Sequence, residues 1–161
     1  MSASKEPVVL AIRVRGLPKV RPEIEDTLEK LKLNRLHMAR VIKMTPSLRG
    51  MIQHAKDYIT WGEIDEETAT LLLSKRGRIT GNRRLTDDYV RKNSGYKSIQ
   101  AFAKALVKGD ARTSDVQGLK PVFRLTPPAG GFKGIRRLPV TVGGITGYRG
   151  PNINELAKKM I

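Results

Sequence analysis

Two adjacent carboxylate pairs, Glu66 with Glu67 and Asp87 with Asp88, and a histidine with an acid three positions on, His54 and Asp57, are the residues whose types and spacing suit proton transfer. Each carboxylate pair stands at the start of a helical pattern, where capping and the positive end of the helix dipole account for it. His54 and Asp57 can meet across one helical turn. The same spacing serves a solvated pair, and sequence context marks no serine or cysteine as a nucleophile. The chain has no cysteine, which removes disulfides, thiol chemistry and cysteine-ligated zinc. His37 and His54 lack the spacing of a metal-binding helix. No metal, cofactor or small-molecule substrate is expected.

Glycines at 130, 131, 134, 143, 144, 147 and 150 raise the possibility of a phosphate loop, but no Walker lysine follows a suitable run and no dinucleotide fingerprint bridges a strand and a helix. The stretch Gly118 to Arg149 contains no acid and carries Lys120, Arg124, Lys133, Arg136, Arg137 and Arg149. Small residues there let backbone approach a ligand closely, the cations suit phosphates, and Phe132 suits stacking on a base. Arg76 to Arg84 is a second acid-free stretch, with Arg76, Arg78, Arg83 and Arg84. Long irregular segments of this kind in a compact chain are usually functional or disordered.

The 161 residues hold 31 Lys and Arg against 15 Asp and Glu, a formal charge of +16. An excess of this size favours a polyanionic partner and counterion release. A membrane is excluded as that partner by the shortness of the longest apolar run, Val8 to Ile12. Residues 1–7 show no apolar signal core, so the chain is expected to stay in the cytoplasmic compartment where it is made. Residues 1–64 hold 12 basic and 7 acidic side chains, and residues 65–161 hold 19 and 8, so the charge is spread over both parts. Aromatic residues are only 5% of the chain, too few for a single-strand binder built on stacking platforms. Nothing resembles a helix-turn-helix, finger or basic zipper. Scattered phosphate contacts suit folded RNA, which is read by shape and backbone.

The elements that must position these residues read as βαβαβ over residues 1–64. Val8 to Arg15 is a strand with Arg13 and Arg15 at period two, hence one face turned to solvent or a partner. Pro22 starts a helix with Glu23, Glu25 and Asp26 in its first turn. A strand from about His37 to Met44 leads into Thr45-Pro46, an N-cap followed by proline at the first helical position. A third strand covers about Tyr58 to Ile64. In the second helix Leu48, Met51, Ile52, Ala55 and Ile59 form the buried stripe, Arg49, Gln53 and Lys56 a polar face, and Gly50 lies about 160° from the apolar centre. Gly50 costs about 1 kcal/mol in a helix interior. Its place beside Arg49 favours close approach by a partner over a tolerated surface glycine. The expected fold is α+β, a small three-stranded sheet with two helices related to the ferredoxin-like core, with strand directions left open. Residues 65–161 form a helical extension with a basic loop and a last helix, Asn152 to Met160, capped by Asn152 and Glu155 and docked on the core.

Leu31-x-Leu33-x-Arg35-Leu36, followed after a strand by Thr45-Pro46-x-x-Arg49-Gly50-Met51-Ile52, resembles the core of the L-thirty family of large-subunit ribosomal proteins. The acid-rich helix after Ile64, the segment near residue 85, the Pro-Pro-x-Gly-Gly-Phe-Lys-Gly loop and the C-terminal Asn-Glu-Leu helix resemble the longer archaeal version, related to the eukaryotic L-seven protein. The long basic N-terminal extension of eukaryotic relatives is not seen, which favours an archaeal source. The resemblance implies a structural component of the large subunit with no catalytic role. Its implied partners are large-subunit rRNA, with 5S rRNA close by, and neighbouring ribosomal proteins. It also carries over Arg49 and Gly50 as core RNA contacts. Charge adds Arg13, Arg15, Lys19, Arg21, Arg35, Lys56, Arg76, Arg78, Arg83, Arg84, Lys133, Arg136, Arg137 and Arg149, the polar face of the second helix adds Gln53, and Phe132 is the stacking residue. The competing readings are an RNA-processing enzyme using His54 and Asp57 and a free-standing RNA chaperone or chromatin protein.

Overall fold

The computed structural model describes residues 6–161, so the reading made on the first five residues lies outside it. Strand β1 (Val8–Arg13) is central and is followed by α1 (Pro22–Lys30), β2 (Met38–Lys43), α2 (Pro46–His54) and β3 (Ile59–Glu63). This is the expected βαβαβ order, and both β2 and β3 pair antiparallel with β1. The extension adds α3 (Glu66–Arg76), α4 (Asp87–Asn93), α5 (Ile99–Lys108) and α6 (Ile153–Met160).

The sheet is larger than three strands. Three more come from the stretch read as loop: β4 (Val122–Arg124), β5 (Ile135–Pro139) and β6 (Gly144–Tyr148), giving the order β4-β2-β1-β3-β6-β5. β4 is antiparallel to β2, whereas β6 runs parallel to β3 and β5 parallel to β6. The added strands are short or glycine-rich, so they carry little periodic signal of their own. They exist because β2 and β3 offer open edges whose backbone groups need partners.

Each face of the sheet is covered by its own apolar cluster. Val9 and Ala11 face Leu28, Leu31, Ile52 and Trp61 beneath α1 and α2. Val8, Leu10 and Ile12 face the other way, into Leu72, Phe102, Leu106, Ile153 and Met160 of the extension helices. β1 is therefore buried along its whole length, which corrects the expectation of a solvent-facing side. A strand covered on both faces has no reason to alternate in polarity.

Helix starts follow the sequence chemistry. Thr45 Oγ1 accepts from the Leu48 amide at 3.3 Å, Asp65 from Thr68 at 2.6 Å, Thr86 from Tyr89 at 3.3 Å and Ser98 from Ala101 at 3.2 Å. The start of α6 differs. Asn152 makes no capping bond and Glu155 pairs instead with Lys159 at 3.0 Å. Asn154 takes the joining role: its Oδ1 accepts from the Asp65 amide at 3.0 Å and its Nδ2 donates to the Glu63 carbonyl at 2.9 Å. It stitches α6 to the end of β3. Close approach at this junction requires Gly62, where a Cβ would stand 1.9 Å from the Gly150 carbonyl oxygen.

Candidate nucleic-acid interface

The first group of expected contacts sits on α2. Ile52 is buried and Leu48 and Met51 are partly buried against the sheet, while Arg49, Gly50, Gln53 and Lys56 are exposed on the other side. A Cβ placed on Gly50 meets nothing within 4 Å, so nothing inside the fold requires a glycine there. Arg49 and Gln53 border a cleft of about 320 Å³ shared with Trp61, Glu63 and Tyr148. The Tyr148 hydroxyl donates to Glu63 Oε1 at 2.6 Å, and this bond raises the phenol above its ordinary pKa.

A second group gathers where α3 ends beside β4. Arg76 and Arg78 line a groove of about 480 Å³ together with Lys32, Lys120 and Arg124, and no carboxylate among the described residues lines it. The two expected residues are partly committed to the fold. Arg76 donates twice to the Ile161 carbonyl, at 3.2 and 2.9 Å, and Arg78 donates to the carbonyls of Lys75 and Gly77 at 3.3 and 3.1 Å. Lys32, Lys120 and Arg124 are exposed and make no ion pair among the described residues. Arg83 and Arg84 are exposed on the adjoining turn, closed by a bridge between Arg78 and Arg84.

The third group lies on the glycine-rich arm. Lys133, Arg136 and Arg137 are exposed, and all five residues of β5 face solvent. The aliphatic side chains Ile135, Leu138 and Val142 are exposed beside the two arginines. Phe132 is not the free platform that the sequence suggests. It is half-buried with its ring stacked on His37, centroids 6.0 Å apart at 21°, so that face is occupied within the fold. His37 has a φ of +63° and its Nδ1 is buried without a hydrogen-bond partner among the described residues. Burial lowers its pKa, and nearby Arg136 lowers it further.

Two arginines are structural. Arg13 is 1% exposed and donates to the carbonyls of Leu33, at 2.8 Å, and Arg15, at 2.9 Å, clamping the chain after α1 onto the end of β1. It cannot reach RNA from there. Its pKa is lowered by burial, against opposing contributions from Glu25 and Tyr58. Arg149 is half-buried, with Nε on Thr60 Oγ1 at 3.3 Å and Nη2 on the Ile145 carbonyl at 3.1 Å, and burial again lowers its pKa. Arg15 lies 4.8 Å over the Tyr58 ring and donates to the Asp57 carbonyl at 3.2 Å. Lys19, Arg21 and Arg35 are exposed around the two ends of α1. His54 and Asp57 are both exposed, and no hydrogen bond or ion pair joins them among the described residues.

Sequence reasoning passed over Lys32, although it stands at a left-handed turn position (φ +61°) that projects it beside the groove. Lys120 and Arg124 were visible as part of the acid-free stretch but not singled out. Trp61, Glu63 and Tyr148 gave no signal, because their meeting depends on the pairing of β3 with β6.

Residues 9–59, from β1 through α2 to the first residue of β3 and including Arg49 and Gly50, match the family model described as Ribosomal protein L30p/L7e. Beyond that stretch the likeness runs nearly end to end. A large ribosomal subunit protein uL30 of Methanobrevibacter smithii is 51% identical over 152 residues, covering 94% of this chain and 99% of the relative. This chain belongs to the L30p/L7e family. The uL30 proteins of Archaeoglobus fulgidus, 49% identical over 150 residues, and Thermofilum pendens, 46% over 153, cover 92% and 94% of the chain and 97% of themselves. The likeness to the uL30 proteins thus extends through the arm, well past residue 59. Among the described residues there is no cluster of three or more metal-ligating side chains, and no helix is long and apolar enough to cross a membrane.

Proposed function

We propose that the protein is a structural constituent of the large ribosomal subunit that binds and orders large-subunit rRNA, and that it has no catalytic role. Family membership supplies the ribosomal setting. The observation that carries the RNA reading is the groove of Lys32, Arg76, Arg78, Lys120 and Arg124, five cations with no carboxylate lining the same wall. A cationic groove of this kind tracks a phosphate backbone without reading sequence. Arg49 adds a contact where Gly50 removes the side chain that would hold a backbone away. The arm, through Lys133, Arg136 and Arg137, reaches a further segment of RNA, and its exposed Ile135, Leu138 and Val142 suit a neighbouring ribosomal protein. Proximity to 5S rRNA belongs to the same proposal, as does location in the cytoplasm within the assembled subunit.

The test is a titration of the purified chain with large-subunit rRNA fragments over a series of salt concentrations. Binding should weaken with a log–log slope of several units, each phosphate contributing about 0.7 to 0.9. A flat salt response overturns the proposal. The enzymatic alternative predicts that Asp57→Asn abolishes RNA processing in extracts. The proposal predicts no change.

A further inference from the structure

The cleft beside Arg49 holds a group that phosphate binding does not use. Glu63 lies on its wall, and a carboxylate repels a phosphate backbone, so its presence next to Arg49 on an RNA-facing surface calls for a different ligand atom. Glu63 Oε1 accepts from Tyr148, whereas Oε2 is buried and has no hydrogen-bond partner among the described residues. A shielded carboxylate oxygen without a donor is costly, and an incoming N–H relieves that cost. Beside it Tyr148 is 54% exposed, its ring tilted 51° against Trp61 with centroids 6.3 Å apart. An aromatic face open to solvent, a carboxylate with one oxygen lacking a donor among the described residues, and an arginine share a cavity of about 320 Å³.

We propose that this cleft takes up one unstacked guanine of the bound RNA, its ring against Tyr148 and its N1–H and N2–H edge donating to the carboxylate of Glu63. The proposal rests on the RNA-binding reading above and adds the identity of one recognised base. Guanine alone among the four bases carries a ring N–H and an amino group side by side on one edge. Adenine and cytosine place a single amino group beside an acceptor, and uracil sets one N–H between two acceptors. An ionised carboxylate offers about four acceptor positions, so Oε1 keeps the Tyr148 hydroxyl while the guanine edge occupies the rest. The adjoining Hoogsteen edge of guanine, O6 and N7, accepts two hydrogen bonds and suits the guanidinium of Arg49. Tyr148 is the adaptable wall: its ring is largely exposed and is held at the hydroxyl by one hydrogen bond, so the ring can tilt to admit a base while the hydroxyl stays on Oε1. Splayed bases stacked on aromatic side chains and read along their Watson–Crick edges are the usual mode of single-stranded RNA recognition.

The experiment exploits the fact that Trp61 is the only tryptophan of the chain. The full-length protein is titrated with uridine pentanucleotides carrying guanine, adenine, cytosine or uridine at the centre, and tryptophan fluorescence is followed. The guanine probe should quench Trp61 and bind about tenfold more tightly than the other three. Glu63→Gln, which keeps an acceptor for Tyr148 and should unfold at the same temperature as the parent, should bring the guanine probe down to the affinity of the others. Tyr148→Ala should abolish the quenching. Equal binding of all four probes, or an unchanged guanine preference in Glu63→Gln, overturns the proposal while leaving salt-dependent RNA binding intact. Binding of a large-subunit rRNA fragment without binding of any pentanucleotide also overturns the guanine site alone. A flat salt response with the fragment overturns both.

Discussion

Replacing Gly50 separates what the fold needs from what a partner needs. Gly50 lies in the interior of the nine-residue helix α2, exposed, and a Cβ added there meets nothing within 4 Å. The Gly50→Ala change therefore brings helix propensity without a clash, about 1 kcal/mol in favour of the folded state. For a chain of this length that raises the melting temperature by about 2 to 4 °C. Gly50→Leu should gain nearly as much, since leucine follows closely behind alanine in helix propensity. The effect on RNA has the opposite sign, because a leucine side chain projects from the surface beside Arg49 and holds a phosphate backbone away. Thermal unfolding of the free protein followed by circular dichroism, paired with titration of a large-subunit rRNA fragment, reads both quantities on the same variants. Stabilisation with weaker RNA binding is expected of Gly50→Leu. Destabilisation of the free protein would show that Gly50 is packed internally, and unchanged RNA affinity would show that no backbone approaches it.

Other perturbations address different parts of the molecule. Arg13→Ala leaves the carbonyls of Leu33 and Arg15 without their donor and opens space beneath α1, so denaturant unfolding should show a loss of about 3 kcal/mol with the salt slope of RNA binding unchanged. Lys120→Ala combined with Arg124→Ala should lower that slope by about 1.4 to 1.8 units while thermal stability holds, because both side chains are exposed in the groove and make no ion pair among the described residues. His37 has its pKa lowered in the fold, so the native state binds a proton less readily than the unfolded chain. Its contribution to stability is present above the unfolded value of about 6.5 and declines as pH falls through the folded value. Denaturant midpoints measured from pH 7 down to pH 5 should fall for the parent and fall less for His37→Asn, asparagine being tolerant of the positive φ at that position.

The core elements were legible because their signals are local. Thr45-Pro46 before an apolar stripe, and the carboxylate pairs Glu66–Glu67 and Asp87–Asp88, each place a helix start where the structure has one. Features that depend on distant partners were not. Val8 to Arg13 looks half-exposed only while the helices that cover its second face are out of view, and with them comes the burial of Arg13. β4 is three residues long and becomes a strand by pairing with β2, against a run whose prolines and glycines read as loop. On α2 the exposure of Arg49 and Gly50 was legible because helical geometry alone puts them opposite the core. Phe132 could not be read correctly, because its partner His37 is far away in sequence and reaches it only through an unusual backbone turn. The start of α6 misled for a related reason: Asn154, rather than Asn152, finds carbonyls and an amide at the end of β3.

The most direct measurement of the central claim is ultraviolet crosslinking within assembled large subunits, mapped to both residue and nucleotide. Binding through the cationic clusters predicts crosslinks to large-subunit rRNA at the α2 face around Arg49 and Gln53, at the groove of Lys32, Lys120 and Arg124, and along the arm at Lys133 to Arg137. Crosslinks concentrated instead on the exposed cations of α4 and α5, Arg91, Lys92 and Lys104, with none at the groove or the arm, would contradict it.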